Sequence, residues 1–158
     1  MTTGSTRFLI DSKLLIYPYN KENEIKQRKA IDLVGFLIEA DRAAVSVQCL
    51  SEFYRVVTTR LAERMIPAEA FKRIEHVAEY CEVLDIKKEV LLEGCRGGVL
   101  HHISIWDALI WAAAKLNQIP YILTEDSRHD RPLENVRYLN PFTDEFSLQD
   151  YLGKDFTA

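Results

Sequence analysis

The chain has 158 residues, of which 47% are hydrophobic, so it is long enough to bury one core, and we predict a single domain over residues 1–158. A formal net charge of −4 at pH 7 excludes a generally basic nucleic-acid-binding surface, so any contact with RNA or DNA must be local. No apolar run has the length of a signal peptide or approaches the roughly 18 residues of a membrane span, which favours a soluble, cytoplasmic protein without a membrane partner.

Short apolar segments alternate with longer segments of helical periodicity along the chain. The segments of strand length are residues 7–11, 43–47, 82–86, 121–126 and 135–140. The segments with helical spacing of apolar residues are 23–40, 46–65, 67–81 and 104–118. This alternation predicts an α/β fold with a central, mostly parallel sheet that helices cover on both faces.

Carboxylates stand at positions where a ligand site is expected. Asp11 in FLIDSKLLIY and Asp126 in YILTED come directly after predicted strands. The ligand crevice of an open parallel sheet lies outside the carboxyl ends of its strands, so we expect both side chains at that edge. Glu52 in LSEFYRVV and Asp107 in SIWDALIWAAA interrupt apolar helical segments, which is not typical of a solvent-exposed helix face.

Each of these acids also has a structural interpretation that the sequence leaves open. Asp107 stands three residues after Ser104 and can complete a capping box at a helix N-terminus. Glu52 can pair with Arg55, three residues further along its helix. Asp126 can cap the turn in TEDSRHD.

Convergence of all four acids would require a bound cation. Two like charges about 4 Å apart repel each other by roughly 4 kcal/mol at an effective dielectric constant near 20. Several such repulsions together would exceed the free energy of unfolding of a small domain, which is only about 5–15 kcal/mol. Oxygen ligands favour a hard divalent ion, so we expect Mg²⁺ or Mn²⁺, and such an ion with its bound water suits the cleavage of a phosphodiester.

Two other features have less specific interpretations. The glycine-rich segment GCRGG, residues 94–98, lacks the pattern of a phosphate-binding loop and is predicted to end or bend a helix. Trp106 and Trp111 are expected in the core or at a dimer contact rather than as stacking platforms for bases.

Taken in order, the four acids and their surroundings resemble PIN-domain ribonucleases, in particular the VapC-type toxins of bacterial toxin–antitoxin pairs. The resemblance covers nearly the whole chain and rests on the segments FLIDSKLLIY, SEFYRV, WDALIWAAA and ILTEDSRHDRPLENVRYLNPF. It implies a PIN-like α/β/α sandwich and an endoribonuclease that uses Mg²⁺ or Mn²⁺ to cleave RNA. It also implies a homodimer, inhibited by a cognate antitoxin whose tail enters the active-site groove.

The resemblance assigns a role to each matching residue. The catalytic and metal-binding positions fall on Asp11, Glu52, Asp107 and Asp126. The three aspartates would hold the metal, while Glu52 would bind a second ion or deprotonate the attacking water. Ser12 and Thr124 would support the acids through their hydroxyl groups.

Lys13 departs from the family pattern, in which Asn or another small polar residue stands at this position. A lysine there can pair with Asp11 and weaken metal binding, reach a substrate phosphate, or extend into solvent. The alternative function is therefore a PIN-like RNA- or protein-binding module in which Lys13 attenuates or abolishes catalysis.

Overall fold

The computed structural model describes residues 5–127 and 129–153, which contain a six-stranded sheet. Its strands are β1 (Phe8–Ile10), β2 (Ala43–Ser46), β3 (Glu82–Leu84), β4 (Tyr121–Leu123), β5 (Arg131–Leu133) and β6 (Val136–Leu139). Their order in the sheet is β3-β2-β1-β4-β6-β5. Strand β5 runs antiparallel to β6, and the other neighbouring strands are parallel. The carboxyl ends of the parallel strands therefore lie at one edge.

Helices occupy the connections from β1 to β2, from β2 to β3 and from β3 to β4, because strands that run in the same direction cannot be joined by tight turns. They are α1 (Ser12–Ile16), α2 (Glu24–Glu39), α3 (Val47–Thr59), α4 (Pro67–Tyr80), α5 (Lys88–His101) and α6 (Ile105–Leu116). Short 3-10 helices span Tyr17–Tyr19 and Leu148–Tyr151. Over residues 5–127 and 129–153, no helix is both long and apolar enough to cross a membrane.

The sheet separates two hydrophobic cores, because successive side chains of a strand point to opposite faces. Phe8 and Ile10 of β1 pack on one face together with Phe53 of α3. Leu9 packs on the other face, where the fully buried Trp111 of α6 lies. Helices thus cover both faces, and the predicted α/β/α architecture with a mostly parallel sheet is confirmed.

Helices α1 and α5 and strand β5 were not predicted from the sequence, and the prediction that the glycine-rich segment GCRGG ends a helix was wrong. GCRGG lies inside α5, so it does not end a helix. Gly97 faces α6, and a Cβ atom at this position would come within 2.8 Å of Cε3 of Trp111. The glycine is needed for close packing of α5 on α6, not for a turn. Strand β5 contains Pro132, which is compatible only with the edge position that it takes in the sheet.

Candidate active site

Asp11 is a buried carboxylate at the carboxyl edge of the sheet. It directly follows β1 and precedes α1, and its Oδ1 accepts a hydrogen bond of 2.7 Å from the backbone N–H of Ser12. Strand β4 is the parallel neighbour of β1, so Thr124 lies beside Asp11 and donates from Oγ1 to Oδ2 at 2.9 Å. Both residues that were predicted to support the acids therefore contact Asp11.

Burial raises the pKa of Asp11 above its usual value, against the opposing effect of the hydrogen bonds from Thr124 and Ser12. The negative charges of Asp126 and Glu52 raise it further. This carboxylate is therefore in a site with an excess of negative charge, which a bound cation would offset.

Glu52 reaches the same edge from α3. That helix begins directly after β2, which is the other neighbour of β1 in the sheet. Ser46 caps its N-terminus, because the Ser46 hydroxyl accepts a hydrogen bond of 3.1 Å from the backbone N–H of Cys49. The predicted pair with Arg55 is present only at the limit of ion-pair distance, 4.0 Å, between side chains that are about half exposed. Such a contact contributes little to stability, so Glu52 stays available to a ligand.

Asp107 lies in the first turn of α6. The Ser104 hydroxyl accepts from the backbone N–H of Asp107 at 3.2 Å and donates to Oδ2 of its carboxylate at 3.0 Å. The bond from the Asp107 amide to the Ser104 hydroxyl is one of the two hydrogen bonds of the capping box that the sequence allowed. The second is replaced, because the Asp107 carboxylate binds the Ser104 hydroxyl and not its backbone amide. The capping role and a position in the site are therefore compatible.

Asp126 follows β4, and its backbone N–H donates to Oγ1 of Thr124 at 3.1 Å. Its Oδ1 lies 2.5 Å from Nζ of Lys13. Lys13 therefore pairs with Asp126 and not with Asp11. The hydrogen bond to Asp126 raises the pKa of Lys13, which keeps the ammonium group charged.

The four acids line one groove of about 570 Å³, together with Ser12, Lys13, Gln48, Arg55 and Trp106 among others. Within residues 5–127 and 129–153, however, no three His, Cys, Asp or Glu side chains are grouped closely enough to hold a metal ion. The structure thus brings the acids to one groove but does not assemble them into a ready-made metal cage.

Glu125 belongs to a different environment from its neighbour Asp126. Its carboxylate accepts hydrogen bonds from the Tyr17 hydroxyl and from Nζ of Lys26, the latter at 2.6 Å. These contacts lower the pKa of Glu125 although burial acts in the opposite direction. The side chain is mostly buried and is not directed to solvent.

Some residues of the groove were not predicted to belong to the site. Gln48 precedes Glu52 by one helical turn, and its Nε2 donates to the carbonyl oxygen of Trp106 at 3.0 Å, which joins α3 to α6. The i, i+4 spacing from Glu52 is a signal that sequence analysis could have used. Trp111 is fully buried, which confirms its core position, whereas Trp106 is 67% exposed and does not lie in the core. A dimer contact through Trp106 stays a prediction.

Arg131 and Tyr138 also lie near the acids and were not predicted. They are opposite one another on β5 and β6, and β5 was itself not predicted. Burial raises the pKa of Tyr138 to about 12, and the charge of Asp107 acts in the same direction, so the phenol stays protonated.

Comparison with known proteins agrees with this architecture. The PIN domain family model matches residues 8–133. A toxin–antitoxin complex from Klebsiella pneumoniae contains a chain with a TM-score of 0.62 and 15% identity, over 85% of this chain and 97% of the other. Among curated proteins, none matches this chain with significant sequence similarity.

Two further solved structures have the same fold. VapBC2 from Rickettsia felis, solved with a promoter DNA fragment, has a TM-score of 0.61 and 13% identity over 84% of this chain and 97% of the other. VapC20 from Mycobacterium tuberculosis, described as a toxin that cleaves the sarcin-ricin loop, has a TM-score of 0.60 and 14% identity over 73% of this chain and 86% of the other. Since the family model covers most of the chain and the fold agrees, this protein belongs to the PIN domain family.

Proposed function

We propose that this protein is a divalent-metal-dependent endoribonuclease that acts as the toxin of a toxin–antitoxin pair. The observation that carries the proposal is the position of Asp11, Glu52, Asp107 and Asp126 along one groove at the carboxyl edge of the sheet. The similarity in fold to chains from toxin–antitoxin complexes supports the toxin role.

The residues of the groove fit Mg²⁺ or Mn²⁺ by their donor chemistry. All four acids offer carboxylate oxygens, which hard divalent ions prefer. Burial is the main cause of the raised pKa of Asp11, and the negative charges of Asp126 and Glu52 raise it further. Asp11, Asp107 and Asp126 would hold the ion, with Glu52 as a ligand of a second one. A bound ion would supply Lewis acidity toward a phosphoryl oxygen and lower the pKa of a bound water.

The chain's own residues have separate tasks in this proposal. Thr124 and the Ser12 amide hold the Asp11 carboxylate in one orientation, so little rearrangement is required of it. Glu52 is partly exposed at the groove wall and would orient an attacking water and accept its proton. Arg55 borders the same groove and offers a positive charge to the backbone of RNA.

A second candidate function follows from Lys13. Its ammonium group lies 2.5 Å from Asp126 and so occupies space beside a proposed metal ligand. The lack of a three-residue metal cluster among the described residues favours the same alternative. In this case the protein would be a PIN-like module that binds RNA or protein, with attenuated or no catalysis.

The proposed partners are an RNA substrate, a cognate antitoxin and a second copy of the chain, and the proposed location is the cytoplasm. Helix α5 exposes Leu92, Val99 and Leu100, and apolar side chains of this kind support a homodimer. Light scattering of the purified protein would give the expected mass of two chains, whereas the mass of a single chain would contradict the homodimer.

The nuclease proposal is tested by incubating the purified, antitoxin-free protein with structured RNAs and Mg²⁺ or Mn²⁺. We expect cleavage that a chelator stops and that Asp11→Asn reduces by about 10²–10⁴-fold, the effect typical of a positioned catalytic group. Calorimetry with each metal gives an independent measure of ion binding. Intact RNA together with no metal binding by the wild type would reject the nuclease and leave the binding module.

A further inference from the structure

A small cavity of about 80 Å³ opens beside the groove of acids. Asp11, Asp107 and Asp126 form one part of its wall, and Ser127, Arg131 and Tyr138 contribute polar groups to the rest. One water molecule needs about 10–15 Å³ of such space, so the cavity has room for a group larger than a single water.

Tyr138 is directed into this cavity by the sheet. It pairs with Ile122 on β4 and with Arg131 on β5, and paired residues of neighbouring strands point to the same face. The residue is only 8% exposed. The charged neighbours of its hydroxyl group are Asp107, Arg131 and Asp11.

Ser127 and Arg131 add two more donors to the wall of the cavity. Oγ of Ser127 is buried and has no hydrogen-bond partner among residues 5–127 and 129–153. Arg131 forms no ion pair with a described carboxylate, whereas Arg137 on the neighbouring strand pairs with Asp130 at 3.0 Å. A buried donor such as Oγ of Ser127, which has no acceptor among the described residues, indicates that a ligand supplies one.

We propose that Tyr138, Ser127 and Arg131 form a pocket for a phosphate of RNA and position the phosphodiester beside the four acids. This inference rests on the proposed nuclease function. A phosphate carries several acceptor oxygens and a negative charge, which complement two hydroxyl donors and a guanidinium group. The carboxylates of Asp11 and Asp107 would repel an anion. The donors on the rest of the wall would offset this repulsion and allow a phosphate to bind.

The test measures binding of a labelled single-stranded RNA to the full chain in a chelator, over a range of salt concentrations, so that cleavage does not contribute. Loss of one phosphate contact to single-stranded RNA reduces the slope of log affinity against log salt by about 0.7. We expect this reduction, and an affinity about tenfold lower, for Arg131→Gln, with the slope restored in Arg131→Lys. Tyr138→Phe removes a neutral donor, so it should lower affinity and leave the slope unchanged. Arg137→Gln is the matched control, because Arg137 is already paired with Asp130.

The possible results separate the pocket from the proposed function. If the wild type binds and cleaves RNA but Arg131→Gln and Tyr138→Phe bind it as well as the wild type does, the pocket holds only water and the inference is wrong. A lower melting temperature with unchanged slope and affinity would assign these residues a structural role and also overturn it. If the wild type neither binds nor cleaves RNA, both the pocket and the nuclease proposal are rejected.

Discussion

Lys13 places a positive charge at the edge of a groove that is otherwise acidic. Its Nζ lies 2.5 Å from Asp126 and 3.8 Å from Glu125. Because hydrogen bonding to Asp126 raises the pKa of Lys13, the group remains a cation at neutral pH. Glu125 has its own partners in Lys26 and Tyr17, so the contact with Asp126 is the one that bears on the proposed metal site.

We predict that Lys13→Asn strengthens binding of Mn²⁺ by about fivefold to tenfold, which corresponds to about 1 kcal/mol for one partly exposed charge. The reason is that a divalent ion no longer competes with the ammonium group for Asp126. Calorimetric titration measures the effect, with Lys21→Asn as the control, since Lys21 pairs with the remote Glu63. Equal dissociation constants for Lys13→Asn and the wild type would mean that Lys13 does not oppose the metal.

Glu52 is the acid whose catalytic and structural roles are easiest to separate. If it orients and deprotonates water, Glu52→Gln should lower turnover at saturating Mn²⁺ by about 10²–10⁴-fold. Its pair with Arg55 is exposed, so the free energy of unfolding should change by no more than about 1 kcal/mol. The control is Glu69→Gln, which removes a similar exposed pair with Arg73 on α4. An unchanged cleavage rate in Glu52→Gln would exclude Glu52 from the catalytic site.

At the scale of secondary-structure elements, the glycine of α5 that packs most closely on α6 is Gly97. Trp111 is fully buried against Gly97 and has no room to move. We predict that Gly97→Ala lowers the free energy of unfolding by about 1–3 kcal/mol through overpacking. Gly98→Ala is the control, because its Cβ would come no closer than 3.4 Å to another atom, and it should raise helix stability. Denaturant unfolding of both variants measures the difference, and equal stability would contradict the close contact.

The same two helices are joined to the β5–β6 turn by a network of charges. Arg96 contacts Glu93 at 2.5 Å and Glu134 at 2.9 Å, and Lys115 contacts the same two acids at 2.5 Å and 3.3 Å. Hydrogen bonds from Arg96 and then Lys115 lower the pKa of Glu93 from 4.5 to about 2. Because the folded pKa is below the unfolded one, the stabilisation is complete above pH 4.5 and disappears as the pH falls toward 2.

We therefore predict that Glu93→Gln is less stable than the wild type by about 1 kcal/mol at neutral pH, a value reduced for solvent screening. The difference should stay constant down to about pH 4.5 and shrink below it. Urea unfolding at several pH values measures this, with Glu89→Gln in the first turn of α5 as the control. A difference that persists unchanged in acid would show that packing, not charge, is lost in the variant.

At the scale of the whole molecule, one sheet supports both cores. Phe8 and Ile10 belong to one core and Leu9 to the other, so β1 cannot unfold without disturbing both. We predict a single cooperative unfolding transition in the metal-free protein. Far-ultraviolet circular dichroism and tryptophan fluorescence should give the same midpoint, and the calorimetric and van't Hoff enthalpies should agree. Two separated transitions would contradict the single domain predicted over residues 1–158.

Local sequence patterns were enough to predict the fold class and the approximate position of the acids. Strand and helix periods depend on near neighbours in the chain, and parallel connections place strand ends at one edge. Asp11 and Asp126 therefore could be placed at that edge from sequence. The order of the four acids then pointed to the PIN family, to which the chain belongs.

Only the tertiary structure decided which of these charges act together. Asp126 pairs with Lys13, whereas the adjacent Glu125 accepts a hydrogen bond from Lys26. Arg131 and Tyr138 lie beside the acids. The tertiary structure also showed that Gly97 of GCRGG serves the packing of α5 on α6. Each of these outcomes depends on contacts between residues far apart in the chain, across strands and helices whose mutual positions no local pattern encodes.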